Sequence, residues 1–384
     1  MANVFQTSDV IAADAVAELI ANVQSSFYFN RAIENNFTSA PAKGTSVRIR
    51  YVPAGEANDL FTDINGVITD SSETYKEFQI TEQPYQYREL KAWEKTLSVD
   101  DFTQQVIRPM TTAIAKKMDK LAMTEVDNCV YAYPAVTPAA LPSSKSDMFN
   151  VGTILDNNEV EDERVAIVTP EVYNAIASEL TPVNESGDSN ALRRGEVGML
   201  DNTLFVKSTR FSGATFTTGD AATGVVNGAV AVGATSIVLD GIDVASGTIN
   251  AGDTLIITDA STGRVQHLKV SANATITTNA ATVVVNEQIK YAIADDSAVV
   301  VYDGGGNTHK TVGVMFARNA FGLASIAPDE IEAATSSSMA FEGFGLNMSV
   351  QGSAQGMKDG IMLSSLFGVK LVDEVQAVKM VVRV

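Results

Sequence analysis

The chain has a single cysteine, Cys129, so no intrachain disulfide can brace it; a lone cysteine is expected as a small buried hydrophobe. Its two histidines, His267 and His309, lie in different segments. With one cysteine they cannot supply the ligand set of a typical zinc site. No run of about 18 or more apolar residues occurs, so no helical membrane span is expected. Aromatic residues make up 7% of the chain, which leaves little material for a sugar-binding platform. Basic residues are scarce: 27 Lys and Arg stand against 46 Asp and Glu, a formal net charge of −19. Nucleic-acid affinity comes mainly from Lys and Arg displacing counterions, so specific DNA or RNA recognition is not expected. An acidic surface fits solubility and avoidance of DNA.

Motifs with a known mechanism are missing as well. There is no phosphate-binding G-x-x-x-x-G-K-[ST] loop, no dinucleotide fingerprint, no H-E-x-x-H, no EF-hand loop and no nucleophile elbow. The acidic group Glu159, Glu161, Asp162 and Glu163 is expected to be a solvated helix face rather than a divalent-ion site. Gly304–Gly306 is expected to be a flexible joint rather than a phosphate nest. No catalytic residue, cofactor or metal is therefore expected. At the N-terminus the first basic residue is Arg31, and Asp9, Asp14 and Glu18 interrupt the apolar positions. That pattern lacks the features of a secretory signal, and synthesis in the cytoplasm is expected.

Several segments carry clear periodicity. Residues 8–24 predict an amphipathic helix with Ser8 as N-cap and Ile11, Ala15 and Leu19 on one side. It is either a surface helix packed on its own domain or an arm reaching a neighbour. Residues 45–52 alternate as a half-exposed strand, and 75–81 alternate again. From Gly55 to Gln86 run about thirty polar residues, the second alternation among them, with turn signals at Asn65-Gly66 and Asp70–Ser72. Together they predict a long two-stranded ribbon projecting from the body. Residues 98–128 predict a long spine helix, with Ser98 as N-cap, Asp100 and Asp101 in the first turn, and a stripe of Phe102, Val106, Met110, Ile114, Met118 and Leu121. Pro109 should kink or split it. Residues 131–150 are expected to form a Pro/Ala/Ser loop. Val165–Val168 predicts a buried strand, Pro170 the first position of a helix to about Leu180, and Thr203–Ser208 another strand.

Composition shifts near residue 215. From there to Asp303 there is no proline and only three aromatics, Phe216, Tyr291 and Tyr302. Short β-like runs recur at Gly228–Val232, Ser236–Asp240, Thr254–Thr258, Val265–Val270, Thr282–Val285 and Ala298–Tyr302, which predicts a small β-barrel or sandwich. The segments at 233–241 and 279–286 look alike but do not establish a repeat. After 304 the mixed pattern resumes. The chain is predicted to be an α+β body interrupted by a β insertion.

Three segments resemble the major capsid proteins of tailed bacteriophages of the Hong Kong 97 type. RVAIVTPEVYNAI (164–176) with GEVGMLDNTLFVKS (195–208) resembles that family's strand, Thr-Pro helix start and Gly-marked turn into a strand. GVMFARNAFGLASIAPDE (313–330) and SVQGSAQGMKDGIMLSSLFGVKLVDEVQAVKM (349–380) are similar to segments of the coat proteins of scaffold-dependent short-tailed phages. The order of elements matches too.

The resemblance implies an α+β capsid fold with a long spine helix, an extended β-ribbon loop, an α/β axial domain and an inserted all-β domain. The implied organisation is an N-terminal arm (1–30), a body (31–214 and 304–384) with its extended loop at about 54–90 and spine at about 98–128, and the insertion (215–303). The implied role is structural: a subunit of an icosahedral or prolate shell, in hexamers and pentamers around double-stranded DNA, located in the virion and assembled in the host bacterial cytoplasm. Implied partners are copies of the chain itself, a separate scaffolding protein and a portal protein, with no membrane. A built-in pro-segment ahead of the arm is missing, which points to the separate scaffold. Asp9, Asp14 and Glu18 are the candidate docking residues for its basic tail. Two other readings compete: a β-rich bacterial surface or adhesin-like protein, and an enzyme with an unrecognised site.

Overall fold

The computed structural model describes residues 8–31, 46–51, 74–91, 103–134, 141–142, 144–160, 162–180, 197–329, 335–341, 343–353 and 356–384. The chain forms two compact units, one of Met1–Leu121 with Phe321–Val372, the other of Ala122–Ala320 with Asp373–Val384.

In the first unit, helix α1 (Ser8–Asn22) buries Ala12, Ala15, Val16 and Leu19, with Val23 just beyond its end. The buried side is rotated from the expected one: Ile11 is only half-buried, and the small residues Ala12 and Ala15 let the helix lie close to its support. Ser8 is the first helical residue rather than the cap. Strands β1 (Ser46–Tyr51) and β2 (Thr74–Gln79) pair antiparallel, from Ser46↔Gln79 to Tyr51↔Thr74, as the alternation predicted. Phe78 is fully buried between exposed Glu77 and Gln79 and packs on Ala324, Val47, Ile80 and Ile326. The turn at Asn65-Gly66 and the reach of the ribbon lie outside the described residues.

The ribbon ends sooner than expected. Residues Tyr85–Lys91, placed in the extended loop, form β3, an edge strand hydrogen-bonded to β21 (Lys358–Ser364). The sheet continues through β20 (Phe344–Ser353) to β19 (Thr335–Phe341), antiparallel throughout. Strands β18 (Phe321–Ile326) and β22 (Leu366–Leu371) form a separate pair.

The spine begins with a π-helical turn, Thr103–Ile107, and continues as α2 (Arg108–Glu125). Pro109 stands second in α2, where its missing N–H is best tolerated, and the winding changes just before it. Val106, Met110, Ile114 and Met118 are all buried, as the stripe requires, while Leu121 at its end is only half-buried. Ser98, Asp100, Asp101 and Phe102 lie outside the described residues. The division between the units falls within α2, after Leu121.

The second unit is built on one mixed sheet. Its order is β4 (Tyr131–Tyr133), β23 (Ala377–Arg383), β17 (Thr308–Ala317), β5 (Arg164–Val168), β7 (Thr203–Lys207) and β6 (Met199–Leu200), with β8 (Thr215–Thr217) beside the start of β17. The pairs β4–β23 and β5–β7 are parallel. Helices α3 (Lys145–Asn157) and α4 (Pro170–Leu180) contribute Met148, Val151, Leu155, Val172 and Ile176 to the core shared with this sheet. Helix α3 corrects the expected loop. Its start is a capping box, in which Ser144 accepts from the Asp147 N–H and Asp147 accepts from the Ser144 N–H. Glu159 then adopts a left-handed conformation in the turn after α3, so the acidic group is not a helix face. Glu161 lies outside the described residues.

Residues between β8 and β17 pair mostly with one another. Strands β9 (Thr223–Val226), β10 (Ser236–Asp240), β12 (Thr254–Thr258), β13 (Val265–Lys269), β15 (Ala281–Val284) and β16 (Ala298–Val301) form a six-stranded antiparallel sheet in the order β13-β12-β16-β9-β10-β15. Strands β11 (Ser246–Ile249) and β14 (Ala274–Thr277) form a second pair. Their inward residues bury a continuous aliphatic cluster that includes Val226, Leu239, Ile249, Leu255, Val283 and Val299. The two look-alike segments are neighbours: β10 and β15 pair from Ser236↔Val284. Gly228–Val232 is not a strand; of it, Val230 makes a single bridge to Ile293.

The two ends of this segment meet. Thr217 pairs with Thr308, and the Thr218 N–H donates to Asn307 at 2.9 Å. Residues 303–306 form a turn held by the Gly305 and Gly306 N–H groups on the Gly219 carbonyl, at 3.2 and 2.9 Å. A side chain at Gly304 would run into the Ala221 carbonyl, so close backbone approach, rather than flexibility, explains the glycine there. Among the described residues, no helix is long and apolar enough to cross a membrane.

Candidate functional site

The three candidate docking residues sit on α1. Asp9 is in its first turn, and its side chain lies outside the described residues. Asp14 is exposed. Glu18 accepts from Arg108 Nε of α2 at 2.7 Å and from Asn22 Nδ2 at 3.0 Å. The Arg108 hydrogen bond holds the Glu18 carboxyl below the usual range. Asp14, Ala17 and Glu18 line an open depression of about 390 Å³ with Gln104, Ile107 and Arg108. The structure therefore brings Asp14 and Glu18 together. It also shows that Glu18 already has a cation, which leaves Asp14 as the accessible charge of the two.

A stronger link lies just beyond α1. The Asp119 carboxylate, fully buried on α2, accepts the backbone N–H groups of Gln24 (2.9 Å), Ser25 (3.2 Å) and Ser26 (3.0 Å), and the Ser26 hydroxyl at 2.7 Å. Charge-assisted bonds of this kind are about twice as strong as neutral ones. They fix the chain after α1 to the spine. An acid next to Met118, on the buried side of an apolar helical stripe, was the sequence signal for it.

In the second unit, a network of buried polar groups joins the β segment to the mixed sheet. Lys269 of β13 and Lys379 of β23 both donate to the Asp127 carbonyl, at 2.8 and 3.2 Å. Burial, with the neighbouring Lys379 charge adding to it, pushes Lys269 down to about 7; burial lowers Lys379 as well. The Asp127 carboxylate accepts from Thr311 at 2.6 Å and Ser212 at 3.3 Å. Asp303, with no exposed side-chain surface, pairs with Arg383 and faces His309 Nδ1 at 3.2 Å. Burial pushes His309 down, against the pull of Asp303. Asp253 accepts from Gly219 and Asn250, while its Oδ1 has no partner among the described residues; burial pushes its carboxyl up to about 6. Apolar contacts run beside these groups. Tyr131 lies against His267 with ring centroids 4.5 Å apart, and Ala132, Val381, Tyr302 and Ile256 cluster together.

None of this makes a reactive site. Cys129 is buried and its thiol is pushed up to about 12 by desolvation, the opposite of an activated nucleophile. Among the described residues, no group of three or more His, Cys, Asp or Glu side chains is placed to hold a metal.

No family model matches the chain, and no curated protein matches it in sequence. Solved structures do match. A structure from Mycobacterium phage Che8 aligns with a TM-score of 0.52 at 16% identity, covering 93% of this chain and 91% of that one. The capsid structure of cyanophage P-SCSP1u aligns at 0.46 and 12%, covering 88% and 83%. The capsid of Ralstonia phage GP4 aligns at 0.45 and 9%, covering 88% and 84%. The Che8 likeness is one of fold, across nearly the whole of both chains.

The joint makes a pH prediction through His267, which burial pushes down to about 4 from an ordinary 6.5. The imidazole stays neutral in the folded chain while the unfolded chain takes up a proton below about 6.5. The stability it contributes is therefore complete above that pH and falls as pH drops towards 4. His267→Phe keeps the ring against Tyr131 and removes the titration. Thermal melts at pH 7 and pH 4.5 should show the variant losing about 1–3 kcal/mol less than the wild type. Equal losses in both proteins would show that His267 is not buried at this joint.

Proposed function

We propose that the chain is the major coat subunit of a tailed bacteriophage, a structural element of an icosahedral or prolate shell that encloses double-stranded DNA. The near full-length likeness of fold to the Che8 phage structure carries this reading. The three sequence segments that resemble coat proteins support it independently. Fold alone does not dictate function; a shell subunit needs segments that reach its neighbours and a body to anchor them. The ribbon of β1 and β2 is the proposed strap, whereas α1 packs within its own unit by Ala12, Ala15, Val16 and Leu19. The ribbon would add buried area to standard interfaces of roughly 1,200–2,000 Å². Repeated head-to-tail contacts of one kind close into rings, here proposed as hexamers and pentamers. The proposed partners are further copies of the chain, a scaffolding protein and a portal protein, with assembly in the host cytoplasm and residence in the virion.

Asp9 and Asp14 are the proposed contacts for a basic scaffold segment, with Glu18 positioned by Arg108. Asp9→Lys with Asp14→Lys should lower scaffold content in particles made by co-expression with the cognate scaffold, and the gap from the wild type should narrow as salt is raised, because screening weakens the wild type's attraction and the variant's repulsion alike. Sedimentation followed by gel quantitation reads this. Wild-type scaffold content in the double variant counts against the docking role.

Residues 215–303 are proposed to be an autonomous inserted β domain that braces the subunit or touches a neighbour. Its own aliphatic cluster and its paired ends support this. Short insertions of this kind are tolerated where the two ends lie together. Residues 217–302 expressed alone should give a β-type circular dichroism spectrum and well-dispersed amide protons, with a stability of a few kcal/mol. A random-coil spectrum would mean that these strands fold only against the mixed sheet.

A further inference from the structure

We propose that the joint between the β segment and the mixed sheet is a protonation-controlled latch, which holds the segment when Lys269 and Lys379 are not both charged and loosens as they take up protons. The inference rests on the reading of residues 215–303 as a domain that keeps its own fold when released. Lys269 comes from β13 of the segment and Lys379 from β23 of the mixed sheet, so docking brings the two amines together. Both residues are buried, at 7% and 5% exposure. They share one acceptor, the Asp127 carbonyl, at 2.8 and 3.2 Å, and Asn128 Oδ1 lies 3.5 Å from the Lys269 amine. Among the described residues, neither amine has a carboxylate within ion-pair distance.

Two ammonium groups on one carbonyl, with no counter-charge in contact, are costly in a low-dielectric interior. Docking avoids that cost by leaving a proton in solvent. Burial pushes Lys269 down to about 7 from an ordinary 10.5, and Lys379 is lowered as well. A released Lys269 takes its proton below about 10.5, whereas the docked one takes it only near 7. Docking is therefore strongest above about 10.5 and weakens as pH falls from there through about 7. The other groups that face the pair leave this window intact. Asp127 and Glu125 ease the Lys269 charge, and the Asp127 carboxylate is taken up by Thr311 and Ser212. Cys129, with its thiol pushed up to about 12, stays neutral. Asp253 titrates near 6, and His267 and His309 are held neutral by burial, so all three change charge below the window. Asp303 is paired with Arg383.

Cys129, the one cysteine of the chain, is buried beside the two amines and reports the opening. The test is the rate at which the purified full-length chain reacts with a small thiol-specific disulfide reagent at pH 7 and pH 9, divided at each pH by the rate of the urea-denatured chain. Protection of Cys129 should be at least tenfold greater at pH 9 than at pH 7, since each proton taken up on opening changes the opening constant about tenfold per pH unit. Lys269→Met with Lys379→Met, which replaces both amines by apolar chains, should flatten the dependence. Lys269→Met alone should make it shallower, and it serves if the double variant does not fold. Amide exchange over β10 and β15, whose pairing lies within the segment, should stay slow at both pH values. Equal protection at the two pH values in the wild type, or the same pH dependence in the variants, overturns the proposal. So does exchange of β10 and β15 that rises in step with Cys129 labelling, which would mean that the segment unfolds rather than undocks. The domain reading is scored separately by the spectrum of residues 217–302 alone, so failure of one leaves the other legible.

Discussion

The second unit depends on strand β17. It hydrogen-bonds along its length to β23, its second half from Gly313 pairs with β5, and its first residues pair with β8. Those partners come from positions as far apart in the chain as Arg164 and Arg383. Every long-range connection in the unit must therefore be compatible with β17 being in place. The Thr217–Thr308 pairing forces the two ends of the intervening β segment together, and the Gly219 and Gly304–Gly306 contacts keep them there. Gly313 shows how tight the packing is. A side chain there would come within 3.0 Å of Val168 and 3.1 Å of the Met380 sulfur, at the irregularity where the β17–β23 register shifts.

Around β17 the unit buries charge and matches it with hydrogen bonds. Lys269 and Lys379 share one carbonyl, Asp127 takes Thr311 of β17 itself, and Asp303 is held by Arg383 and His309. Removing one partner from such a network strands the other in low dielectric, which costs more than the pair contributes. The arrangement favours one docking of the β segment over alternatives that apolar contact alone would allow. In the first unit Asp119 has the corresponding role: three backbone N–H groups converge on a buried carboxylate and set where the chain after α1 must run.

Long periodic segments were legible in the sequence. Helix α1, the stripe of α2, the β1–β2 alternation, the strand at Arg164–Val168 and the Pro170 helix start all follow from spacing and cap chemistry. So did the β character of 215–303, and strands Ser236–Asp240 and Thr254–Thr258 matched to the residue. What escaped had weak local signals. Helix α3 begins with Ser144 and Asp147, where a Glu or Gln is the usual partner, and a nearby Pro/Ala/Ser stretch hid Met148, Val151 and Leu155. Strands β9, β11 and β14 are four residues each and rich in Thr and Gly, so their pairing comes from tertiary context rather than from propensity. Of the docking candidates, Asp14 and Glu18 were found to share one depression, while the Arg108 pairing of Glu18 and the Asp119 contacts depend on the register of two helices. No single-segment pattern reports that register.

The proposed role is that of a shell subunit that reaches neighbouring copies through the β1–β2 ribbon. Electron microscopy of particles purified from cells that express the chain with its cognate scaffold tests this most directly. The account predicts closed, uniform shells whose class averages show rings of five and six copies of this subunit. Well-folded protein that remains in small discrete particles, or that forms only fibres or open sheets under the same conditions, would contradict it.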